Sequence, residues 1–245
     1  MATADVTGAY LKAFMDDYVV MKFTGASVDI LCAMNQEHLK FVVIEHGVKV
    51  LYVRLIKAIY GCVKSALLWY KLFTSKLKKM GFVLNDYDPC IANCVIDGSQ
   101  CTIAWYIDDN KISHKDPAVV TRMIKIIEEE FDTMTVTRGM EHVFLGMHVK
   151  YTDDKTAVIT MKGYLADAIS KSGMEIKDVA PTPATKRLFD VDEKSPLLAR
   201  PQAETFHSVA ATLLYVAIRA RMDLLLAVIF CARGCPSALN KTTKN

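Results

Sequence analysis

The stretch CIANCVIDGSQCTIAWYIDDNKIS, residues 90–113, decides how the chain reads. Two β-rich runs, residues 90–96 and 101–107, are joined by Asp97-Gly98-Ser99-Gln100, and an Asp-Gly step between apolar runs signals a hairpin. A third short run, residues 110–114, follows at once. The pair Asp108-Asp109 therefore falls at or near the tip between two antiparallel strands.

Outward from this hairpin the period changes to that of helices. Upstream, residues 65–80 set Leu68, Trp69, Leu72, Phe73, Leu77 and Met80 at helical spacing, with Gly81 as the stop. Downstream, Asp116 is the expected N-cap and Pro117 the first turn of a helix whose Val120, Met123, Ile124, Ile127 and Phe131 form one stripe. Two more strands, 143–149 and 157–161, flank Tyr151-Thr152-Asp153-Asp154-Lys155, a second hairpin candidate. A helix over 163–172 ends near Gly173, and helical patterning resumes over 203–219 and 222–233. This order predicts an α+β fold: an antiparallel sheet with helices on one face, followed by a mainly helical region. The expected divisions are 1–133, a sheet domain carrying the hairpin; 134–175, its continuation; 176–202, a linker or long loop with four of the seven prolines; and 203–245, the helical region.

Composition narrows the class. The 245 residues are 52% hydrophobic with a formal net charge of +3, which excludes wholesale disorder. Residues 1–14 have no basic segment ahead of an apolar run, so no targeting signal is expected. The apolar stretch 213–232 is broken by Arg219, Arg221 and Asp223, whereas a membrane span needs ~20 nearly uncharged residues. Cysteines at 32, 62, 90, 94, 101, 231 and 235 form no CxxC pair and the six histidines are scattered, which favours free thiols in a reducing compartment over a zinc site. Charge is uneven: residues 46–85 hold eight Lys or Arg and no Asp or Glu. Such a segment is either a solvated helix face or a track for a phosphate backbone.

Adjacent acids after an apolar strand repel each other and lose hydration, and a divalent cation relieves both costs. Asp5, in DVTGAYL (residues 5–11), could join them if its strand lies beside the hairpin. Magnesium suits such a site because it binds carboxylate oxygen and keeps waters that phosphates can replace. Two ions a few Å apart would serve phosphoryl transfer. A lone Asp-Asp pair in a tight turn is ordinarily solvated turn chemistry, so the chemistry requires all three acids together.

Five blocks, in order, resemble the reverse transcriptase of copia-type LTR retrotransposons, in the branch found in diatoms and similar microbial eukaryotes. They are DVTGAYL (5–11), LYVRLIKAIYGCVKSALLWY (51–70), CTIAWYIDDNKISH (101–114), MTVTRGMEHVFLGMHV (134–149) and FHSVAATLLYVAIRARMDLLLAV (206–228). The resemblance implies a polymerase palm followed by a thumb or connection region, with the fingers largely missing because four residues precede Asp5. It implies that Asp5, Asp108 and Asp109 are the catalytic and metal-binding set. Asp5 and Asp108 would be the principal Mg²⁺ ligands, Mn²⁺ an alternative ion, and Asp109 a supporting group.

Tyr10 corresponds to the aromatic residue under the sugar of the incoming nucleotide, and Tyr106 to a residue near the primer end. Ser65 stands where many relatives carry a Gln of the nucleotide pocket, the resemblance implies that Lys64 and Lys71 contact the nucleic-acid backbone, and Asn110 is merely adjacent. The implied partners are an RNA template, a DNA primer, a dNTP and the remainder of a Pol polyprotein, with no membrane. The implied location is intracellular, in cytoplasmic particles. A truncated, non-catalytic retroelement remnant that binds nucleic acid is the alternative, motivated by the missing fingers and by Ser65.

Overall fold

In β1 (Ala2–Val6), Ala2, Ala4 and Val6 project to one face of the strand and are buried, while Thr3 and Asp5 project to the other. That period of two sets the arrangement of everything around it. The computed structural model describes residues 1–173, 175, 180–185, 188–190 and 198–239, with residues 234–239 described through the backbone alone. It divides into two units, Met1–Gly139 and Met140–Asn245.

The first unit continues with β2 (Val20–Thr24), α1 (Ala26–Met34), β3 (Val43–Glu45), β4 (Val48–Arg54), α2 (Ser65–Lys79) and β5 (Val83–Leu84). It ends with β6 (Ile91–Ile96), β7 (Ser99–Tyr106), β8 (Asp109–Ser113), α3 (Pro117–Phe131) and β9 (Met134–Arg138). Six strands form one antiparallel sheet in the order β5-β6-β7-β8-β1-β9. The link between β6 and β7 is tighter than its four polar residues suggest. Asp97 and Gly98 alone make the turn, at φ +49° and +73°, and two successive positive φ values are the signature of the type I′ turn that matches strand twist.

One core joins this sheet to both helices. Trp69, Phe73 and Leu77 of α2, and Val120, Ile124, Ile127 and Phe131 of α3, pack with Ala4, Val6, Ile103 and Ile112. Trp69 meets Phe131 edge-on at 5.0 Å and Phe73 stacks on Trp69 at 5.2 Å between centroids. Burial of each large side chain contributes about 1.5–3 kcal/mol, which makes this the centre of stability of the unit. The start of α3 is as the sequence predicts: Asp116 Oδ1 accepts from Ala118 N at 2.8 Å, with proline in the first turn. A second, three-stranded antiparallel sheet, β2-β4-β3, has a small core of its own with α1, made of Val28, Cys32 and Leu51.

The second unit contains β10 (Glu141–Phe144), β11 (Met147–Tyr151), β12 (Ala157–Thr160), α4 (Lys162–Ser172), α5 (Arg200–Arg219) and α6 (Leu225–Leu239). Its strands form an antiparallel meander. The run 143–149, read from sequence as one strand, is instead two strands of a hairpin, turned at Leu145 and Gly146 with φ +54° and +72°. Apolar residues on both sides of that glycine hide the turn from any pattern count. The ring of Tyr215 on α5 stacks on Tyr164 of α4 at 5.2 Å, and its hydroxyl donates to Leu145 O at 2.8 Å.

Of the expected linker, residues 176–179, 186–187 and 191–197 lie outside the described residues, and α5 begins at Arg200. The cysteines at 32, 62, 90, 94, 101 and 231 are free, and among the described residues no helix is long and apolar enough to cross a membrane.

Candidate active site

Antiparallel register places Asp5 of β1 directly opposite Asp109 of β8. Asp109 in turn faces Tyr106 of β7, and Asp5 faces Thr135 of β9. Side chains at paired positions share a face, so Tyr106, Asp109, Asp5 and Thr135 make one row across four strands, on the face away from the helices. Asp108 sits beside this row in the two-residue turn between β7 and β8.

The turn is unusual in its chemistry. Ile107, its first central residue, has φ +58° while Asp108 does not have a positive φ, the pattern of a type II′ turn in which glycine is the rule. A β-branched residue there is strained by about 1–3 kcal/mol and persists only where its surroundings hold it. Three donors do so. Trp69 Nε1 donates to Ile107 O at 2.7 Å, Asn110 Nδ2 donates to Asp108 O at 2.7 Å, and Val6 N donates to Asp108 O at 3.0 Å.

The three carboxylates act on one another. Burial raises the pKa of Asp5, and the charge of Asp108 raises it further. Burial also raises that of Asp109, followed by the charges of Asp108 and Asp5. Proximity of like charges and partial loss of water thus both disfavour the ionised set. Two tyrosines border it. Gly8, at φ +65°, turns the chain from β1 into a short 3₁₀ turn, Ala9–Lys12, that buries Tyr10. The Tyr10 ring lies 4.5 Å from that of Tyr60, and the Tyr60 hydroxyl donates to Asp108 Oδ2 at 3.2 Å. Both phenols are raised, first by burial and then by the charge of Asp108.

Five of the residues singled out from sequence therefore share this neighbourhood: Asp5, Tyr10, Tyr106, Asp108 and Asp109. The other three do not join the row. Ser65 is buried at the start of α2, its hydroxyl donating to Ile59 O at 2.6 Å. Lys64 pairs with Asp16 at 3.5 Å and with Asp17, and those hydrogen bonds and charges raise its pKa. Lys71 lies exposed on α2. Two residues that sequence reasoning passed over carry contacts to the turn. Tyr60 shows in the sequence only as an aromatic before Gly61, whose φ is +92°. Asn110, read as merely adjacent, is buried to 1% and holds the turn from below.

Hard carboxylate oxygens suit Mg²⁺ or Mn²⁺, and a divalent cation would remove the mutual repulsion. Among the described residues, no three His, Cys, Asp or Glu side chains are drawn together as a ready-made metal cluster. Asp5 and Asp109 share a face, and Asp108 couples to both electrostatically.

No family model matches the chain. Over 231 residues, 94% of its length, it is 23% identical to a putative transposon Ty5-1 protein of Saccharomyces cerevisiae, and the match covers 68% of that protein. Over 125 residues, 49% of its length, it is 30% identical to the transposon Ty1-BR Gag-Pol polyprotein of the same yeast and 28% identical to the Ty1-DR5 polyprotein. The chain spans 7% of the length of each of those two polyproteins. Its similarity is thus to retrotransposon polyproteins, at low identity.

Proposed function

We propose that the chain is the palm-bearing part of a retrotransposon reverse transcriptase, an RNA-directed DNA polymerase. One observation carries this reading: residues more than a hundred positions apart in sequence, Asp5 and Asp109, meet as direct cross-strand partners beside Asp108. Similarity to transposon polyproteins supports the same reading. The reaction is attack of a primer 3′-hydroxyl oxygen on the α-phosphorus of a dNTP; the bond to pyrophosphate breaks and the hydroxyl proton leaves to water.

Asp5 and Asp108 hold the ions, and Asp109 adds charge from the same face. Bound there, two Mg²⁺ ions, or Mn²⁺ in their place, supply electrostatic stabilisation of the attacking and leaving oxygens. Tyr10, packed beside Tyr60 and buried, gives the nucleotide sugar a rigid floor, and Tyr106 stands at the primer end of the row. Lys71 offers a cation to the template or primer backbone. Lys64 serves that role only after leaving Asp16 and Asp17. Ser65 shapes the start of α2 and offers its hydroxyl to Ile59 rather than to a nucleotide. The partners that follow are an RNA template, a DNA primer and a dNTP, in cytoplasmic particles built from the rest of a polyprotein.

A second reading, a nucleic-acid-binding chain without catalysis, draws on Ser65, whose hydroxyl is given to Ile59 O, and on the exposed Lys71. Primer extension by the purified chain in Mg²⁺, with Asp108→Asn as control, separates the two. Extension by the parent and none by the variant is the expected result. Salt-sensitive RNA binding with no extension by either protein supports the second reading instead.

A further inference from the structure

The helix-facing side of the carboxylate turn raises a separate question. A strained turn with a left-handed isoleucine needs a reason to stay put, and the donors beneath it are buried: Trp69 and Asn110 are each 1% exposed. Both give their hydrogens to carbonyls of the turn rather than to one another. Asn110 does so at a cost, because its Oδ1 is buried with no hydrogen-bond partner among the described residues. A residue chosen for stability alone would not leave an acceptor unpaired in the core, where leucine has nearly the same shape and no polar atom.

We propose that Trp69 and Asn110 are positioning residues for the carboxylate set: their buried N–H groups fix the two turn carbonyls and so aim Asp108 and Asp109 at Asp5. The inference rests on the reading of these acids as a divalent-ion site. Trp69 acts on the turn from α2, through Ile107 O, while Asn110 of β8 and Val6 of β1 act through Asp108 O. The carbonyl of Asp108 is thereby held from two sides, which fixes where its side chain leaves the backbone, and the Tyr60 hydroxyl donates to its Oδ2 at 3.2 Å. Groups that orient ligands from behind tune ion affinity by about 10–100-fold in metal sites generally.

The test uses the full chain and the variants Asn110→Leu and Trp69→Phe, with Ile127→Val as a control that trims the same core without touching a turn carbonyl. Mn²⁺ binding is followed by the electron paramagnetic resonance signal of the free ion. Each turn variant is expected to weaken Mn²⁺ about 10-fold, the control to leave it unchanged. Thermal unfolding adds a readout that a merely structural role would move the other way: Asn110→Leu keeps or raises the midpoint, since it removes the unpaired acceptor.

Amide exchange of Val6, measured without metal, reads the turn directly. It is expected to accelerate in both turn variants and to stay slow in the control. Should the parent bind no Mn²⁺ in an Asp108-dependent way, the ion reading falls, and the Val6 exchange still decides the positioning. Unchanged Mn²⁺ affinity in Asn110→Leu, or unchanged Val6 exchange in both variants, overturns the proposal.

Discussion

Two hairpins in this chain carry an adjacent pair of aspartates, and they are opposites. In the first unit Asp108-Asp109 closes β7 onto β8; in the second, Asp153-Asp154 lies between β11 and β12. Asp154 is exposed and saturated with local donors. Its Oδ1 accepts from Thr156 N at 3.1 Å, from Thr156 Oγ1 at 2.8 Å and from Thr152 Oγ1. Those hydrogen bonds hold its carboxyl below the usual range. At the other hairpin, burial and neighbouring charges push Asp109, and its cross-strand partner Asp5 on β1, above it. An acid pair in a turn therefore has no fixed meaning: one set stabilises its own loop, while the other is held in an arrangement that disfavours its charge and suits a cation.

The largest expected effect breaks the pair of hairpins apart by activity. Asp5→Asn should lower primer extension by about 10³-fold, corresponding to about 4 kcal/mol of transition-state stabilisation. The double variant Asp153→Asn/Asp154→Asn should leave it within about twofold. Steady-state extension rates in Mg²⁺ check both at once. Equal losses in Asp5→Asn and in the Asp153/Asp154 double variant would mean that the β1–β8 register has no catalytic content.

A smaller effect concerns stability. For Asp5 and Asp109 the folded-state pKa lies above the unfolded value of 3.8, so between the two values the folded chain binds more protons than the unfolded one. Stability then falls as pH rises through that window, and at neutral pH the ionised pair weighs against the fold. Asp5→Asn and Asp109→Asn should each raise the metal-free unfolding midpoint at pH 7. The gain should sit near the low end of about 0.5–2 kcal/mol, because both groups keep some solvent that screens them. At about pH 3.5, where most carboxylates are protonated, the gain should largely vanish. Calorimetry at the two pH values decides it; a gain of equal size at both has some other cause.

What could be read from the sequence follows the same division. The α2 and α3 stripes, the Asp116 cap and the β6–β7 turn all depend on near neighbours, and the fold keeps them close to where pattern places them. The sheet β2-β4-β3 escaped because β3 is three residues long and β2 alternates only between half-buried and exposed positions. Counting cations over residues 46–85 overstated their freedom. Lys49, Lys64 and Lys76 pair with Asp29, with Asp16 and Asp17, and with Glu130, all from outside that segment. Asn110 escaped for the opposite reason: its neighbour Asp109 faces away from the core, and strand alternation turns the next side chain inward, a consequence of register that residue type does not announce.

The smallest effect is also the sharpest, because it concerns a sign. Asp154 has its pKa lowered by the hydrogen bonds it accepts, so its contribution to stability is present above the unfolded value of 3.8 and is lost as pH falls through the lower, folded one. Asn at that position keeps one oxygen acceptor but loses the charge that strengthens the three bonds. Asp154→Asn should therefore lower the unfolding midpoint slightly at pH 7, and the difference should disappear in acid. Asp109→Asn, the same chemical change in the other acidic hairpin, should raise it. Measured side by side in one buffer series without divalent ions, the two variants should move in opposite directions at neutral pH and converge on the parent as pH falls. Shifts of the same sign would show that the hairpins do not differ in their electrostatics, and would leave the Asp5, Asp108 and Asp109 set with no stored repulsion for a bound cation to relieve.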